Sequence, residues 1–270
     1  MNKIKKWNLI ESDAYSGKFN MTYDRWLFEQ IQTDAVGPTL RFFQWSKPTI
    51  SYGMNQKNIE EIVDFERCRD EGVDVVKRPT GGRELLHGYD LSYSVAARLS
   101  DFDACSKSIN AVCTLIHNAI VKGLIDSGLD KDGFLAGAKL KNGYDLKAKM
   151  PCFTSMTGNE IAYNGKKLVG SAQRKEKESI LQHGSIQIIS GTSGIANLLL
   201  LKDEVARNRL RDLMIRSVTS VSAEAGYTKN RISLLTKKLQ ENISKSFSLL
   251  LGITFELKEI DLKDQKMLIE

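Results

Sequence analysis

Histidine and cysteine are scarce in this sequence, which has three histidines and four cysteines in 270 residues. The cysteines are Cys68, Cys105, Cys113 and Cys152. A structural zinc site needs four such ligands, usually in closely spaced pairs. No such spacing occurs here. The sequence therefore argues against a metal site, and we expect the cysteines to be reduced thiols.

Long apolar runs are also missing. No stretch reaches the ~18 residues that a membrane-spanning helix requires, and the first residues lack the pattern of a secretion signal. We therefore expect a soluble, cytoplasmic protein with no membrane partner. No repeat or low-complexity linker divides the chain, and 41% of its residues are hydrophobic. This is enough for a large core, so we predict one domain over residues 1–270. The sequence carries no signal of oligomeric state, and a monomer is our default expectation.

The net charge of +6 is concentrated in one part of the chain. Residues 137–177 contain nine basic and three acidic side chains, among them Lys139, Lys141, Lys147 and Lys149. Nucleic-acid binding would need interleaved aromatics or a recognised motif, and neither is present. We therefore expect no nucleic-acid partner and predict that this basic segment attracts an acidic protein.

Periodic patterns predict an α+β fold. Helical spacing of apolar residues occurs at 20–32, 58–71, 106–124, about 197–217 and about 229–251. Strand patterns occur at 40–46, 49–52, 73–78, 84–87, 91–97, 160–163, 166–170, 181–189 and 253–257. Asn164-Gly165 separates two of these strands and is a strong hairpin signal. We predict a mostly antiparallel sheet flanked by helices, with the helices between about 197 and 251 in the same domain.

A thiol and an amine are candidates for acyl-transfer chemistry. Cys152 follows a proline outside any periodic segment, whereas Cys68 and Cys113 lie in helical patterns and are expected to be packing residues. Lys167 lies on a strand, where a lysine is usually solvated at an edge, and two-residue periodicity would place it on one face with Val169 and Ser171. A cysteine can hold an acyl group as a thioester, and an amine can stabilise charge on the carbonyl oxygen.

Small residues and glycines indicate a place for a ligand. Gly170, Ser171 and Ala172 would make a poor packing surface but a good floor under a bound chain. Arg78 and Arg83 flank the pair Gly81-Gly82, which allows close backbone approach to a ligand, although such pairs are more often simple turns. His183 either faces the same cavity or is a structural histidine. For His117, in a helical pattern, simple packing is the expected role.

Taken together, these segments resemble the biotinyl/lipoyl protein ligase and transferase superfamily, and within it the cysteine-dependent octanoyltransferases. The segments that carry the resemblance are Asn20-Met21 with Asp24, RPTGGRELLH at 78–87, LSYSV at 91–95, PCF at 151–153, KKLVGSAQ at 166–173 and ILQHGSI at 180–186. The resemblance implies the catalytic-domain fold of that superfamily. It also implies transfer of octanoate from acyl carrier protein to a lysine of a lipoyl-accepting domain, either the glycine cleavage H protein or a 2-oxoacid dehydrogenase E2.

The resemblance assigns roles to individual residues. Cys152 would attack the octanoyl thioester and hold the acyl group, and Lys167 would contact the thioester carbonyl. The substrate-binding residues implied are Arg78, Gly81, Gly82, Arg83, His87, Gly170, Ser171, Ala172 and His183. No cofactor is implied, because a thioester already carries the energy that forming an amide requires.

Three alternatives remain open at this point. A lipoate-protein ligase would activate free lipoate with ATP and Mg²⁺, but such ligases usually have a third glycine where this chain has Arg83, and generally use an accessory domain. The segment Gly88-Tyr89-Asp90 fits either pattern loosely. A noncatalytic binding protein would need neither Cys152 nor Lys167. An amidotransferase between two lipoylated proteins is the third alternative.

Overall fold

A computed structural model describes residues 5–102, 108–134 and 160–260. Within these ranges the chain forms strands and helices in an interleaved order. The strands are β1 (Lys5–Tyr15), β2 (Thr39–Trp45), β3 (Thr49–Tyr52), β4 (Asp74–Lys77), β5 (Leu85–His87), β6 (Asp90–Arg98), β7 (Ile161–Tyr163), β8 (Lys166–Glu176), β9 (Ser179–Gln187) and β10 (Ile253–Leu257). The helices are α1 (Gly17–Gln32), α2 (Phe65–Asp70), α3 (Ile109–Asp126), α4 (Glu204–Ser217), α5 (Val221–Glu224) and α6 (Ile232–Leu251).

The strands form two sheets. The larger has the order β10-β1-β2-β6-β9-β8-β7, and the smaller has the order β4-β3-β5. Strand β1 is parallel to both of its neighbours, and β3 is parallel to β4. The remaining pairs are antiparallel. The predicted α+β class with a mostly antiparallel sheet is confirmed.

Helices cover both faces of the larger sheet. On one face, α3 and α6 pack against Tyr93 and Val95 of β6 through a core that includes Ile116 and Phe247. On the other face, α1 packs against Ala96, which adjoins Val95 and points to the opposite side of the strand. The C-terminal helix α6 therefore shares its core with the sheet.

Helix α1 begins one turn earlier than the sequence pattern indicated. Ser16 is its N-cap, and its side chain accepts a hydrogen bond from the backbone N–H of Phe19. Asn20, the first residue of the predicted helix 20–32, is fully buried within the first turn of α1. Its amide donates to the carbonyl oxygens of Tyr15 and Gln44, which ties α1 to the end of β2.

Two predicted helices are shorter than expected, and one contact explains both. Residues 58–71 form a single 3₁₀ turn and then α2, while α4 begins only at Glu204. Val63 forms an isolated antiparallel bridge with Leu199, and hydrogen bonds join Asp64 N to Leu198 O and Leu200 N to Ile62 O. Backbone groups used in this pairing are not available to either helix.

The asparagine-glycine hairpin is confirmed. Asn164 and Gly165 have φ values of 48° and 74°, the left-handed pair that a type I′ turn requires. Within the described ranges, no helix has the length and apolar character needed to cross a membrane. The same ranges contain no group of three or more histidine, cysteine or acidic side chains arranged to hold a metal ion.

Candidate active site

A partly open cavity lies between the two sheets, with about 420 Å³ of empty space that includes the solvent at its mouth. Its lining residues are Met21, Phe43, Trp45, Ser51, Arg78, Leu85, His87, Ser92, Gly170, Ser171, Ala172, His183, Gly184 and Ser185. Six of the predicted binding residues are therefore in its wall: Arg78, His87, Gly170, Ser171, Ala172 and His183. Gly81, Gly82, Arg83 and Lys167 lie outside the lining.

Arg78 holds the glycine turn in shape. Its buried guanidinium donates hydrogen bonds to the carbonyl oxygens of Ser51, Gly81 and Arg83. Gly82 has a φ of 94°, and its oxygen would lie only 2.1 Å from a Cβ atom added to Gly53. The turn therefore packs on a glycine with no room for a side chain, and Arg78 reaches from that turn into the cavity wall.

His87 lies in a chain of hydrogen bonds. Its Nδ1 is 2.9 Å from Asp90 Oδ2 and its Nε2 is 2.8 Å from Ser51 Oγ. Its ring stacks on Trp45 with centroids 4.1 Å apart. Burial alone would raise the pKa of Asp90, but the His87 charge and hydrogen bonds, among them one from Ser92, lower it below its usual value.

His183 forms a second chain of the same kind. Its Nδ1 is 3.3 Å from Asp24 Oδ2, and its Nε2 hydrogen-bonds Thr80 Oγ1. Burial lowers the pKa of His183 in spite of the nearby Asp24 carboxylate. The other carboxylate oxygen, Asp24 Oδ1, pairs with Arg41 at 2.9 Å, and both side chains are fully buried. For Asp24, burial acts to raise the pKa, but the His183 hydrogen bond and the Arg41 charge outweigh it, and the pKa is lowered.

Lys167 is buried and ion-paired, not solvated at an edge. Its ammonium pairs with the carboxylate of Glu160, and the two side chains are 0% and 3% exposed. Strand β7 pairs Ile161 with Val169 but Ala162 with Lys167, so the register shifts by one residue between them. The two-residue alternation expected from Lys167 to Val169 is therefore interrupted in this part of β8. Sequence reasoning missed Glu160, although an opposite charge across a short hairpin was the available signal.

The floor of the cavity is strand β8 at Gly170, Ser171 and Ala172. Ser171 Oγ lies 2.9 Å from the hydroxyl of Tyr93 and 3.0 Å from Nε2 of His117 on α3. His117 is thus a hydrogen-bonding partner of the floor, a role that its helical pattern did not indicate. Burial lowers the pKa of His117 to about 4, which keeps the ring neutral near pH 7.

Two of the four cysteines lie within the residues that the structure describes. Cys68 and Cys113 are buried thiols, and burial raises the pKa of each to about 11, as expected of packing residues. Cys105 and Cys152 lie outside the described residues. So do the basic residues predicted to attract an acidic partner, Lys139, Lys141, Lys147 and Lys149.

Polar groups in the cavity wall hydrogen-bond one another. Besides the pairs of His87 and His183, Ser92 donates to Asp90 and Ser185 accepts from Gln187. The remaining wall includes the apolar side chains of Met21 and Phe43. An apolar guest would therefore displace water without breaking these bonds, which is the condition for binding a hydrocarbon chain.

Comparisons with known proteins agree on one family. The lipoyl protein ligase A/B catalytic domain matches residues 16–247. Octanoyltransferase LipM of Clostridioides difficile is 31% identical over 268 residues, covering 99% of this chain and 94% of that protein. Octanoyltransferase LipM of Brevibacillus brevis is also 31% identical over 268 residues, covering 98% and 93%.

Solved structures show the same fold. A bipartite lipoate protein ligase of Thermoplasma acidophilum, solved with its E2 lipoyl domain, superposes with a TM-score of 0.74 at 19% identity, covering 98% of this chain and 91% of that one. Lipoate-protein ligase A bound with ATP gives a TM-score of 0.71 at 20% identity, covering 99% and 93%. At these identities the likeness concerns the fold alone.

Proposed function

The chain belongs to the lipoyl protein ligase A/B catalytic-domain family, and from this we propose that it is an octanoyltransferase of protein lipoylation. Relatives with about 30% identity over nearly the whole chain are octanoyltransferases, whereas the ligases resemble it at 19–20% identity. The enzyme is an acyltransferase that moves an octanoyl group to a lysine of a lipoyl-accepting domain.

The observation that carries this proposal is the cavity between the sheets. Its hydroxyl and imidazole groups are bonded to one another, and Met21, Phe43 and Leu85 supply apolar surface. A medium-length acyl chain fits such a wall better than a polar or charged ligand, which would need free hydrogen-bonding groups.

In the proposed reaction, the Cys152 thiolate attacks the thioester carbonyl of octanoyl-acyl carrier protein. The bond to the carrier's sulfur breaks, and the acyl group is held as a thioester on Cys152. The amine of the acceptor lysine then attacks this thioester, an amide forms, and the thiolate is released. Because the product amide is more stable than a thioester, the reaction needs no ATP, metal or other cofactor.

Lys167 supplies positive charge in this scheme. Its ammonium is withdrawn from water and held by Glu160, three residues before the cavity floor begins at Gly170. A fixed cation in a dry site stabilises a developing oxyanion more strongly than one in solvent. We assign Lys167 this role toward the carbonyl oxygen in both transfer steps.

The donor and acceptor are part of the proposal. We propose acyl carrier protein as donor, and the glycine cleavage H protein or a 2-oxoacid dehydrogenase E2 as acceptor. The relation to lipoyl-modifying proteins supports a lipoyl domain as acceptor. A thiol nucleophile that must stay reduced fits a cytoplasmic location, which we also propose.

Intact-protein mass spectrometry tests this function. The purified chain is mixed with octanoyl-acyl carrier protein without ATP, beside Cys152→Ser and Cys68→Ser variants. We expect an added octanoyl mass, removable by hydroxylamine, in the parent and in Cys68→Ser, and none in Cys152→Ser. No adduct, together with modification of an acceptor domain by free octanoate, ATP and Mg²⁺, would instead identify a ligase.

A further inference from the structure

Ser51, His87 and Asp90 have the geometry of a nucleophilic triad. Ser51 Oγ is 2.8 Å from His87 Nε2, and His87 Nδ1 is 2.9 Å from Asp90 Oδ2. With the proton on Nδ1 directed at the carboxylate, Nε2 is free to accept the serine proton. This order of nucleophile, base and orienting carboxylate is the arrangement that activates serine in hydrolases on unrelated folds.

The three groups are held by different parts of the fold. Ser51 lies on β3 and His87 on β5, which are antiparallel neighbours in the smaller sheet, while Asp90 opens β6 of the larger sheet. Asp90 is fixed by hydrogen bonds from Ser92 Oγ at 2.8 Å and from the backbone N–H of Gly88 at 3.1 Å. The imidazole is therefore locked in one orientation from both sheets.

The triad faces the acyl cavity and has a cation beside it. Ser51 and His87 both line the cavity. Arg78, also in the lining, donates from Nη1 to Ser51 Oγ at 3.2 Å. The guanidinium therefore supplies positive charge next to the attacking oxygen, which favours the negative charge that develops as Ser51 attacks a carbonyl group. The stacked Trp45 ring favours the imidazolium that forms when His87 takes the proton.

The second chain of hydrogen bonds, Thr80–His183–Asp24, lacks these properties. The Thr80 hydroxyl is not part of the cavity lining. The charge of Asp24 is already balanced by its ion pair with Arg41. It would therefore stabilise a protonated His183 less than an unpaired carboxylate would. The carboxylate of Asp90 has neutral hydroxyl and amide partners besides His87. The two chains have the same order of groups, but only the first has its hydroxyl in the cavity lining and a carboxylate that is not paired with an arginine.

We propose that Ser51, His87 and Asp90 form a second acyl-accepting centre that hydrolyses medium-chain acyl esters and thioesters bound in the cavity. Ser51 Oγ attacks the acyl carbonyl as His87 Nε2 takes its proton. The bond from the carbonyl carbon to the leaving sulfur or oxygen breaks, and His87 returns the proton to the leaving group. Water then attacks the serine ester with His87 as base, which releases the fatty acid and restores the serine hydroxyl. This activity is separate from the transfer through Cys152.

A serine-directed probe tests the proposal directly. The full chain is treated with an octyl fluorophosphonate, which phosphonylates activated serines, and the modified peptide is identified by mass spectrometry. The labelling is done in the Cys152→Ser background as well, so that its outcome does not depend on the thioester. We expect one phosphonyl group on Ser51 in both proteins.

Variants separate a reactive serine from a structural one. Ser51→Ala should lose the label and the hydrolysis of p-nitrophenyl octanoate, and His87→Gln should slow both by about 100-fold or more. The matched control is Ser94→Ala, which removes a different buried serine hydroxyl, one on β6 that hydrogen-bonds Asp24. It should label like the parent. Thermal unfolding establishes that each variant is folded, and a folded parent that takes no label, or that takes it on another serine, would overturn the proposal.

Discussion

Lys167 and Glu160 form an ion pair almost completely withdrawn from water, with side chains 0% and 3% exposed. The pair joins the start of β8 to the residue just before β7 across the Asn164-Gly165 turn. Removing charges from water is costly, so each buried charge needs the other as its compensating partner. Lys167, to which we assign a catalytic role, therefore also stabilises the fold.

This dependence predicts different outcomes for single and double substitutions. Lys167→Met should lower the free energy of unfolding by about 3–5 kcal/mol, because it strands the Glu160 carboxylate in the interior. Lys167→Met combined with Glu160→Gln should recover much of that loss, while transfer activity stays at background. Urea denaturation and an octanoyl-transfer assay measure the two effects. Recovery of activity in the double variant would contradict the assigned role of Lys167.

Local patterns predicted the elements of this fold better than its side-chain partnerships. The strands Thr49–Tyr52 and Ile253–Leu257 have their predicted bounds, because alternation and turn residues are local signals. The helix ends near Val63 and Leu199 were wrong, because a bridge between residues far apart in sequence took their backbone groups.

In the candidate site, too, local motifs identified individual residues but not their hydrogen-bonding partners. His87 and His183 were selected from motifs and do line the cavity. Asp24 belongs to a segment that carries the resemblance, but its pairing with His183 was not predicted, since the two residues are 159 positions apart. Asp90 was even close in sequence to His87, but nothing in the spacing of these two residues showed that Ser51 would complete the chain. Such partnerships depend on strand register and sheet packing, which a single sequence does not display.

The neutral state of His117 predicts a loss of stability in mild acid. Burial lowers the pKa of His117 to about 4, from 6.5 in an unperturbed histidine. Between these values the unfolded chain binds a proton that the folded chain does not, so the free energy of unfolding falls as the pH decreases. The full effect is on the order of 3 kcal/mol. His183, whose pKa is also lowered by burial, acts in the same direction.

Substitution of His117 isolates its contribution to the pH dependence of the free energy of unfolding. Urea denaturation of His117→Gln between pH 7 and pH 4.5 should give a shallower decline than the parent, since glutamine does not titrate and still offers a hydrogen bond to Ser171. Asn118→Ala, at the exposed next position of α3, should decline like the parent. Equal slopes for all three proteins would show that His117 is not the titrating group.

The cavity floor depends on close contact at Gly184. A Cβ atom there would lie 2.6 Å from Tyr93 Cε1 and 2.7 Å from the carbonyl oxygen of Gly170. Gly184→Ala should therefore displace Tyr93 or the floor strand, lowering stability by about 1–3 kcal/mol and reducing octanoyl transfer. Gly37→Ala, whose nearest contact would be at 3.8 Å, should change neither. An alanine at Gly184 with parental melting temperature and activity would show that the floor is not tightly packed.

The apolar wall of the cavity predicts how acyl-chain length is selected. Met21 is 4% exposed, lines the cavity from α1 and packs in the cluster that contains Phe43 and Trp45. Met21→Trp places more volume in the space where we propose the acyl chain lies. Each methylene in an apolar pocket contributes about 10-fold or more to discrimination. We therefore expect kcat/KM for octanoyl transfer to fall by about 10-fold or more, with hexanoyl transfer much less affected.

The ratio of the two rates is the informative quantity in this experiment, because a general loss of folding would reduce both chain lengths alike. Ile215→Trp adds similar bulk to the exposed side of α4, where the isoleucine is 57% exposed, and should leave the octanoyl to hexanoyl ratio unchanged. A ratio that is unchanged in Met21→Trp as well would place the acyl chain elsewhere. The cavity would then have no part in the proposed mechanism. The thioester on Cys152 would still be tested separately, by the octanoyl mass added to the protein.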